Sequence, residues 1–257
     1  MTMKKIALVA LFAAGFSAPA LAADLPGGYF TKAPPMVAAI YNWSGVYVGA
    51  NGGWSGDSKC WGLVNPGNAN VGLGCSRGNG GVAGGQIGYR WQANAFVFGV
   101  EAQGDWANLK NSNVSLANSL VTNQSQINAF GLFTAQAGYA LNNVLFYVKG
   151  GGAVAADKYN GFGTATGIAF DQAKETRWGG AAGAGVEYGF LPNWSVAVEY
   201  DHLFMGNARD TFFSTGLGPN NRIAAGGIER VVNIHQDVDM VTARINYRFG
   251  GPLISRY

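Results

Sequence analysis

The sequence predicts an all-β fold, an eight-stranded antiparallel up-and-down β-barrel that crosses a membrane. Segments in which apolar and polar residues alternate recur along the chain, and the last of them, Met240–Phe249, is the clearest. Successive side chains of a strand point to opposite faces, so such a segment has one apolar and one polar face. The connections alternate between short and long, and the chain opens with a segment typical of exported proteins. These three observations favour a transmembrane barrel over a soluble β-sandwich.

The first 22 residues have the three parts of a secretory signal. Lys4 and Lys5 give a positive start, Ile6–Phe16 is apolar, and Ala20–Ala22 is a small-residue cleavage site. The apolar run is shorter than the ~18 residues that a membrane helix needs. A buried N-terminal helix is the less favoured alternative. We therefore expect residues 1–22 to be removed on export.

Composition supports a strand-rich protein. Glycine accounts for 40 of 257 residues, and charged residues make up only 12% of the chain, about half the usual share. Aromatic residues reach 13%, a mixture that suits twisted strands in close contact. Two of the 17 basic residues lie in the export signal, so the mature chain is nearly balanced against its 14 acidic residues. This balance gives no support to nucleic-acid binding.

Four regions follow in order: the signal (1–22), a proline-containing periplasmic segment (23–42), the barrel (43–249) and a C-terminal tail (250–257). Eight strands are predicted within the barrel. They are Trp43–Ser55, Gly81–Trp91, Phe96–Trp106, Asn123–Leu141, Val144–Val154, Thr176–Tyr188, Trp194–His202 and Asp237–Phe249.

The predicted connections sort by length onto two rims. The turns Gln92–Ala95, Asn142–Asn143 and Gly189–Asn193 are short, and the other connections are long and polar. The long ones are Gly56–Gly80, Ala107–Thr122, Ala155–Glu175 and Leu203–Gln236. Short periplasmic turns and long extracellular loops are typical of outer-membrane barrels.

The outer faces of the predicted strands are apolar and rich in aromatic residues near the strand ends, as a membrane boundary favours. Their members include Ile87, Tyr89, Trp91, Phe96, Phe98, Val100, Trp106, Phe133, Tyr139, Phe146, Val148, Trp178, Val186, Tyr188, Trp194, Val196, Val198 and Tyr200. The core face of a soluble sheet is the alternative interpretation.

The inner faces carry equal numbers of acidic and basic residues, which are expected to pair because unpaired charges in a narrow interior are costly. The predicted lumen charge network comprises Arg90, Glu101, Asp105, Lys149, Arg177, Glu187, Glu199, Asp201, Arg244 and Arg248. Glu199 and Arg244 lie on the last two strands, so we expect them to meet near the middle of the barrel. The alternative is a solvated charged face of a soluble sheet.

Cys60 and Cys75 are the only cysteines of the chain. In an exported protein the default expectation is a disulfide between them. Such a loop closure stabilises the fold by ~3 kcal/mol in the chain-entropy treatment. A metal site is less favoured, because two cysteines without a nearby histidine supply too few ligands.

Several motifs together resemble one known family. They are Ala23–Pro26, Lys32–Pro35, Asn42–Gly49, Phe96–Glu101, Gly183–Tyr188, Pro192–Ser195 and Val198–Tyr200. The chain resembles the small outer-membrane β-barrel proteins of alphaproteobacteria, which include surface antigens, "outer membrane immunogenic proteins" and porin-family proteins, related in fold to the OmpA transmembrane domain. The resemblance implies an integral protein of the Gram-negative outer membrane. It also implies that Tyr247 and Phe249 form the signal read by the barrel-insertion machinery.

The chain departs from that family at two places. Gln136 stands where relatives usually carry a charge, and the tail after Phe249 continues where relatives usually stop. Because of the first difference, the lumen network of relatives is not carried over to this interior.

Two functions are predicted. The first is a surface barrel that contributes to outer-membrane integrity and to surface or host interaction, because an eight-stranded barrel is filled by its own side chains. The alternative is a narrow, weakly selective porin-like channel for ions or small solutes, because several glycines are predicted to face inward. These glycines are Gly45, Gly49, Gly84, Gly88, Gly179, Gly183 and Gly185.

The sequence predicts no catalytic, cofactor-binding or metal-binding residues, and therefore no enzyme. His202 lacks a hydroxyl nucleophile nearby, since Phe204 stands two residues on. His235, placed in the last long loop, is a weak alternative as a haem ligand.

The expected partners are outer-membrane lipids, lipopolysaccharide, the barrel-insertion machinery and a host or surface ligand at the loops. Basic residues predicted to lie in or beside the outer loops are candidates for contact with lipopolysaccharide phosphates. They are Lys59, Arg77, Lys110, Lys158, Lys174 and Arg177.

Overall fold

A computed structural model describes residues 41–64, 71–217 and 223–250. Eight antiparallel strands form a closed barrel in which each strand pairs with the next and β8 pairs with β1. Their bounds are β1 Gly45–Leu63, β2 Val71–Ala93, β3 Phe96–Val114, β4 Val121–Leu141, β5 Val144–Gly163, β6 Ala169–Leu191, β7 Trp194–Ser214 and β8 Ile228–Phe249. The predicted fold class is confirmed. The export signal and most of the segments 23–42 and 250–257 lie outside the described residues.

The predicted short turns are present at one rim. Asn94 and Asn142 each adopt φ 55°, a left-handed conformation that asparagine tolerates better than most residues. They connect β2 to β3 and β4 to β5. Within the described ranges, no helix is long and apolar enough to cross a membrane.

The strands are much longer than the sequence predicts, and the four predicted long loops are therefore wrong over most of their length. A membrane crossing takes ~9–11 residues, whereas β1 has 19 and β2 has 23. The barrel wall thus continues beyond the membrane, and the connections at that rim shrink to residues 64–70, 115–120, 164–168 and 215–227.

The alternation of apolar and polar residues inverts along the strands, which explains the error. We call the half of the barrel next to the short turns the lower half and the other half the upper half. In the lower half of β8, Val241 and Ile245 point outward and are exposed, while Arg244 is buried in the lumen. In the upper half, Ile234 is fully buried and His235 is exposed. The outward side chains contact lipid in the lower half and water in the upper half. The polar face of the strand is therefore the inner one below and the outer one above, while the backbone ladder continues.

Exposed aromatic residues form a belt around the lower half of the barrel. Trp106 and Trp178 mark its upper edge and are 77% and 69% exposed. At the periplasmic rim, Tyr247 packs against Trp194 and Phe249 with ring centroids 5.0 Å apart in both pairs. The outward positions predicted from the sequence belong to this exposed apolar surface. A belt bounded by aromatic rings is what a bilayer requires of such a barrel.

One section of the wall lacks regular pairing. The β6–β7 ladder runs up to Gly180↔Phe204 and resumes only at Gln172↔Phe213. Between these points Arg177 of β6 reaches Asp210 of β7, with Nη2 3.2 Å from Oδ2. A charge-assisted side-chain contact therefore spans this section, where the strands share no ladder pairs.

Candidate functional site: the filled lumen and the outer wall

Glu199 of β7 lies at the centre of the lumen. Its Oε1 accepts a hydrogen bond from Lys149 Nζ at 2.6 Å, and Arg244 Nη1 donates to its Oε2. The Tyr147 hydroxyl also donates to Oε2, at 2.6 Å. The structure therefore contains the Glu199–Arg244 contact that the sequence predicts. The buried carboxylate has two cationic partners, as burial of a charge requires.

Glu101 of β3 completes this central ionic layer from the opposite wall. Arg244 Nη2 donates to its Oε1 at 2.8 Å, and the Tyr47 hydroxyl donates to its Oε2 at 2.7 Å. Lys149 also lies 3.1 Å from an Asp201 oxygen. We define the central ionic layer as Glu101, Lys149, Glu199, Asp201 and Arg244; each is at most 5% exposed.

Tyrosine rings and a second ion pair fill the lumen on the periplasmic side of this layer. Arg90 Nη1 lies 2.8 Å from Glu187 Oε2, and its guanidinium packs over the Tyr47 ring at 4.5 Å from the centroid. A Cβ added to Gly88 would lie 2.5 Å from Tyr47 ring atoms. This inward glycine makes room for a ring, so it supports a packed interior and not a water-filled thread.

An apolar layer closes the lumen above the ionic layer. Sequence reasoning missed it, because most of its members lie above the predicted strands or at their edges. Its buried residues are Val82, Leu109, Ile127, Phe130, Leu132, Ala153, Ala155, Ala181, Leu203, Met205, Val238 and Met240. Each is at most 6% exposed. Side chains from seven of the eight strands, all but β1, thus meet where a channel would have to pass.

Two further ion clusters lie above the apolar layer, and of their members only Arg177 is predicted from the sequence to face the lumen. Lys59 Nζ is 2.8 Å from Asp157 Oδ1 and 3.7 Å from Asp57 Oδ2, and Lys59 is fully buried. Burial raises the pKa of Asp57. Aromatic and aliphatic residues then cap the barrel. This cap consists of Trp61, Leu73, Tyr159, Ala173, Phe212, Val232 and Ile234.

The second upper cluster lies at the unpaired section of β6 and β7. Arg177 Nη2 is 3.0 Å from Glu175 Oε2 and 3.2 Å from Asp210 Oδ2. Burial and the neighbouring Glu175 carboxylate raise the pKa of Asp210 to about 8. Two carboxyl groups thus compete for one guanidinium, and the raised pKa favours the protonated form of Asp210.

All ten residues of the predicted lumen network are buried, but they divide among several groups of contacts. Gln103 links Asp105 to the central ionic layer, because its Oε1 accepts from Lys149 at 3.2 Å and from Arg244 at 3.3 Å. Five make up the central ionic layer, and Arg90 pairs with Glu187 below it. Arg177 belongs to the upper cluster. Asp105 accepts a hydrogen bond from Gln103 at 2.8 Å, and Arg248 donates to the carbonyl oxygen of Pro192 at 2.7 Å at the periplasmic rim.

The predicted set of loop cations divides between the inside and the outside of the barrel. Lys59 is inside, so its assignment to the outer rim is wrong. Arg177 is also inside, as its place in the predicted lumen network requires, and is not available at the outer rim. The remaining four point outward on strands above the aromatic belt and are exposed: Arg77, Lys110, Lys158 and Lys174.

The disulfide joins directly opposed residues of β1 and β2. Cys60 and Cys75 are ladder partners with their Cα atoms 4.0 Å apart, on the outer face of the wall. His235 lies on β8 and not in a loop, with Nδ1 3.1 Å from Asn207 Oδ1. His202 Nδ1 lies 2.7 Å from Asp239 Oδ1 on the same outer face. Among the described residues, no three His, Cys, Asp or Glu side chains are grouped to hold a metal ion.

Comparison with known proteins identifies a family. The model of the outer membrane protein beta-barrel domain matches residues 8–220. No curated protein matches the chain at a significant level of sequence similarity.

Solved structures of outer-membrane proteins resemble the chain at low identity. OprG from Pseudomonas aeruginosa is 14% identical, with a TM-score of 0.47 over 80% of this chain and 98% of OprG. The outer membrane protease OmpT from Escherichia coli is 12% identical, with a TM-score of 0.43 over 80% of this chain and 97% of OmpT. Ail, the attachment invasion locus protein of Yersinia pestis, is 13% identical, with a TM-score of 0.32 over 77% of this chain and 98% of Ail.

Proposed function

The chain belongs to the outer membrane protein beta-barrel domain family, and we propose that it is a closed surface barrel that contributes to outer-membrane integrity and to contacts at the cell surface. It is an integral protein of the outer membrane. The proposal concerns what the barrel does there.

The apolar layer carries this proposal. It is stacked on the central ionic layer, so a solute would meet two consecutive barriers of different chemistry. Leu132, Leu203 and Val238 are fully buried within it. Ions do not cross a close-packed apolar layer without displacing it, because the layer offers no polar group to replace their hydration. A closed barrel of this kind acts through its walls and its outer end.

The narrow, weakly selective channel is the alternative function. A channel requires a continuous polar path along the lumen. The central ionic layer supplies polar groups for one part of that path, since Lys149 lies within 4.0 Å of both Glu101 and Glu199. The apolar layer interrupts that path. The closed barrel is therefore the better-supported function.

Each proposed partner corresponds to one part of the barrel surface. The apolar belt meets outer-membrane lipids, and the exposed cations above it meet lipopolysaccharide. The connections at the upper rim meet a host or surface ligand. Tyr247 and Phe249, at the end of β8, are the proposed signal for the barrel-insertion machinery. We propose no enzymatic activity.

A deletion strain tests the proposed role in membrane integrity. Loss of the protein is expected to raise sensitivity to detergent and to large antibiotics that an intact outer membrane excludes. Expression of the wild-type chain is expected to restore resistance, and so is expression of Glu199→Gln, provided that this variant still inserts. Unchanged sensitivity in the deletion strain would contradict the proposal.

A further inference from the structure

The outer wall above the aromatic belt is strongly basic on one side. Lys158 of β5 and Lys174 of β6 are direct ladder partners, and both are exposed. Like charges directly opposed across two strands repel each other. No salt bridge within the described ranges involves either lysine. Among the described residues, the pair therefore has no acidic partner.

The lysine pair continues into a row that crosses four strands. Lys110 of β3 is the ladder partner of Gln126 of β4, and Gln126 is the partner of Lys158. The outer wall of β8 differs, because Asp237 and Asp239 point outward there. Positive charge is thus concentrated on one side of the barrel.

The height of the row matches the head-group region of the outer leaflet. Lys110 lies four residues beyond Trp106 on the same outward face, and Lys174 lies four residues beyond Trp178. Four residues span roughly 13 Å of strand, or about 10 Å of height at the usual tilt of such barrels. Both Trp side chains mark the upper edge of the apolar belt, so the lysines stand just above the acyl chains.

A groove of about 240 Å³ lies at the lysine pair. Asn128 and Thr176 add neutral polar groups to its lining. The two acids beside it are already engaged, since Asp157 bonds Lys59 at 2.8 Å and Glu175 bonds Arg177 at 3.0 Å. The groove therefore presents uncompensated positive charge.

A strip of small outward-facing residues, which we call the trough, lies on the lipid face below the groove: Gly150, Gly152, Gly180 and Ala182. Gly150 and Ala182 are ladder partners, as are Gly152 and Gly180. The trough differs from the lumen, where glycines are needed for packing. A Cβ added to Gly152 would meet nothing nearer than 4.0 Å, and one added to Gly180 nothing nearer than 3.9 Å. The protein itself thus has room for side chains at these positions.

We propose that the Lys158–Lys174 groove and the trough beneath it bind a phosphorylated glycolipid of the outer leaflet. A lipid phosphate lies between the two ammonium groups and relieves their repulsion through charge-assisted hydrogen bonds. An acyl chain of the same lipid lies along Gly150, Gly152 and Gly180. An acidic polypeptide fits the lysines but leaves the trough unfilled, so the lipid is the better match.

Binding of diphosphoryl lipid A to the folded protein in micelles, measured by native mass spectrometry, tests this site. The double variant Lys158→Gln/Lys174→Gln is expected to bind at least about tenfold more weakly than wild type, because each lysine contributes a charged hydrogen bond. Arg209→Gln, which removes an exposed charge of β7 outside the groove, is the matched control and binds as wild type. Unchanged affinity in the double variant would overturn the proposal.

Three further arms distinguish the source of the phosphate. Dephosphorylated lipid A is expected to bind wild type as weakly as lipid A binds the double variant. Millimolar inorganic phosphate or polyglutamate is expected not to displace lipid A, and displacement by either would overturn the lipid assignment. Gly152→Leu fills the trough and is expected to weaken binding of both lipids; unchanged binding would contradict the acyl-chain contact.

The site rests on the proposed function only through the lipopolysaccharide contact. If the lipid-binding proposal fails, the barrel is still closed and shows no ion conductance. If the closed-barrel proposal fails, the protein conducts ions while lipid binding persists. A difference in gel mobility between unboiled and boiled samples shows that each variant is folded.

Discussion

Arg244 of β8 bridges two acidic residues on opposite walls of the barrel. Its Nη2 lies 2.8 Å from Glu101 Oε1 on β3, and its Nη1 donates to Glu199 on β7. The Arg244 side chain is 0% exposed, so neither contact is screened by water. The fork of the arginine side chain suits this role, because it donates in two directions from one fixed plane.

Removal of this bridge is expected to destabilise the barrel. Arg244→Met keeps much of the volume but leaves two buried carboxylates with only Lys149 as a cationic partner. Loss of one member of a buried ion pair typically costs 3–5 kcal/mol. Urea unfolding of the protein in lipid bilayers would measure the change in the free energy of unfolding.

The exposed Arg209 supplies the control for this experiment. Arg209→Met is expected to change the unfolding free energy by no more than ~0.5 kcal/mol, as for most surface positions. Equal effects at Arg244 and Arg209 would show that the central ionic layer does not act as described.

The position of the membrane predicts where a new charge is tolerated on the outer wall. Val198 of β7 is 62% exposed within the apolar belt, so Val198→Arg is expected to cost ~2–4 kcal/mol. Ser112 of β3 also points outward but lies beyond Trp106, so Ser112→Arg is expected to cost little. Folding yield into vesicles and urea unfolding would compare the two variants. Similar costs at both positions would place the membrane boundary elsewhere.

The pH dependence of stability is expected to reflect the upper ion clusters. The pKa of Asp210 is raised to about 8, above its ordinary value near 4. Between these values the folded state holds a proton that the unfolded chain has released, so stability falls as pH rises from about 4 to about 8. Asp171 of β6, whose Oδ2 lies 2.7 Å from Arg230 Nε, is a further buried carboxylate at this end of the barrel. Burial raises its pKa as well, which adds a slope of the same sign. Thermal unfolding in micelles at pH 5 and pH 8 measures this loss.

Asp210→Asn isolates the contribution of that carboxyl group. The variant is expected to lose less stability between pH 5 and pH 8 than wild type does. Ser112→Asn, a neutral substitution at an exposed position on the outer wall of β3, is the control and keeps the wild-type difference. If Asp210→Asn loses as much stability between pH 5 and pH 8 as wild type does, Asp210 is ionised throughout this range.

The sequence predicts the lower half of the barrel well, for a physical reason. Where lipid surrounds the wall, outward residues such as Val198 must be apolar, and polar inward residues such as Glu199 then stand out by alternation. The central contact between Glu199 and Arg244 follows from neighbouring antiparallel strands. These constraints are local and leave a clear pattern.

The upper half escapes prediction because the same constraint is absent there. Outward residues such as Lys158 meet water, and inward residues such as Ile234 are apolar, so the pattern inverts and resembles a polar loop. Lys59 is therefore assigned to the surface although it is fully buried. The unpaired section of β6 and β7 depends on the geometry of the closed barrel and leaves no mark in either strand alone.

Ion conductance of the refolded barrel in a planar bilayer tests the central claim, the closed lumen, most directly. Wild-type protein is expected to be silent once insertion has been verified independently. Glu199→Ala is expected to be silent as well, because it opens the central ionic layer but leaves Leu132, Leu203 and the rest of the apolar layer in place. Steady openings in wild type, altered in size or selectivity by Glu199→Ala, would contradict the closed barrel and make the narrow channel the function.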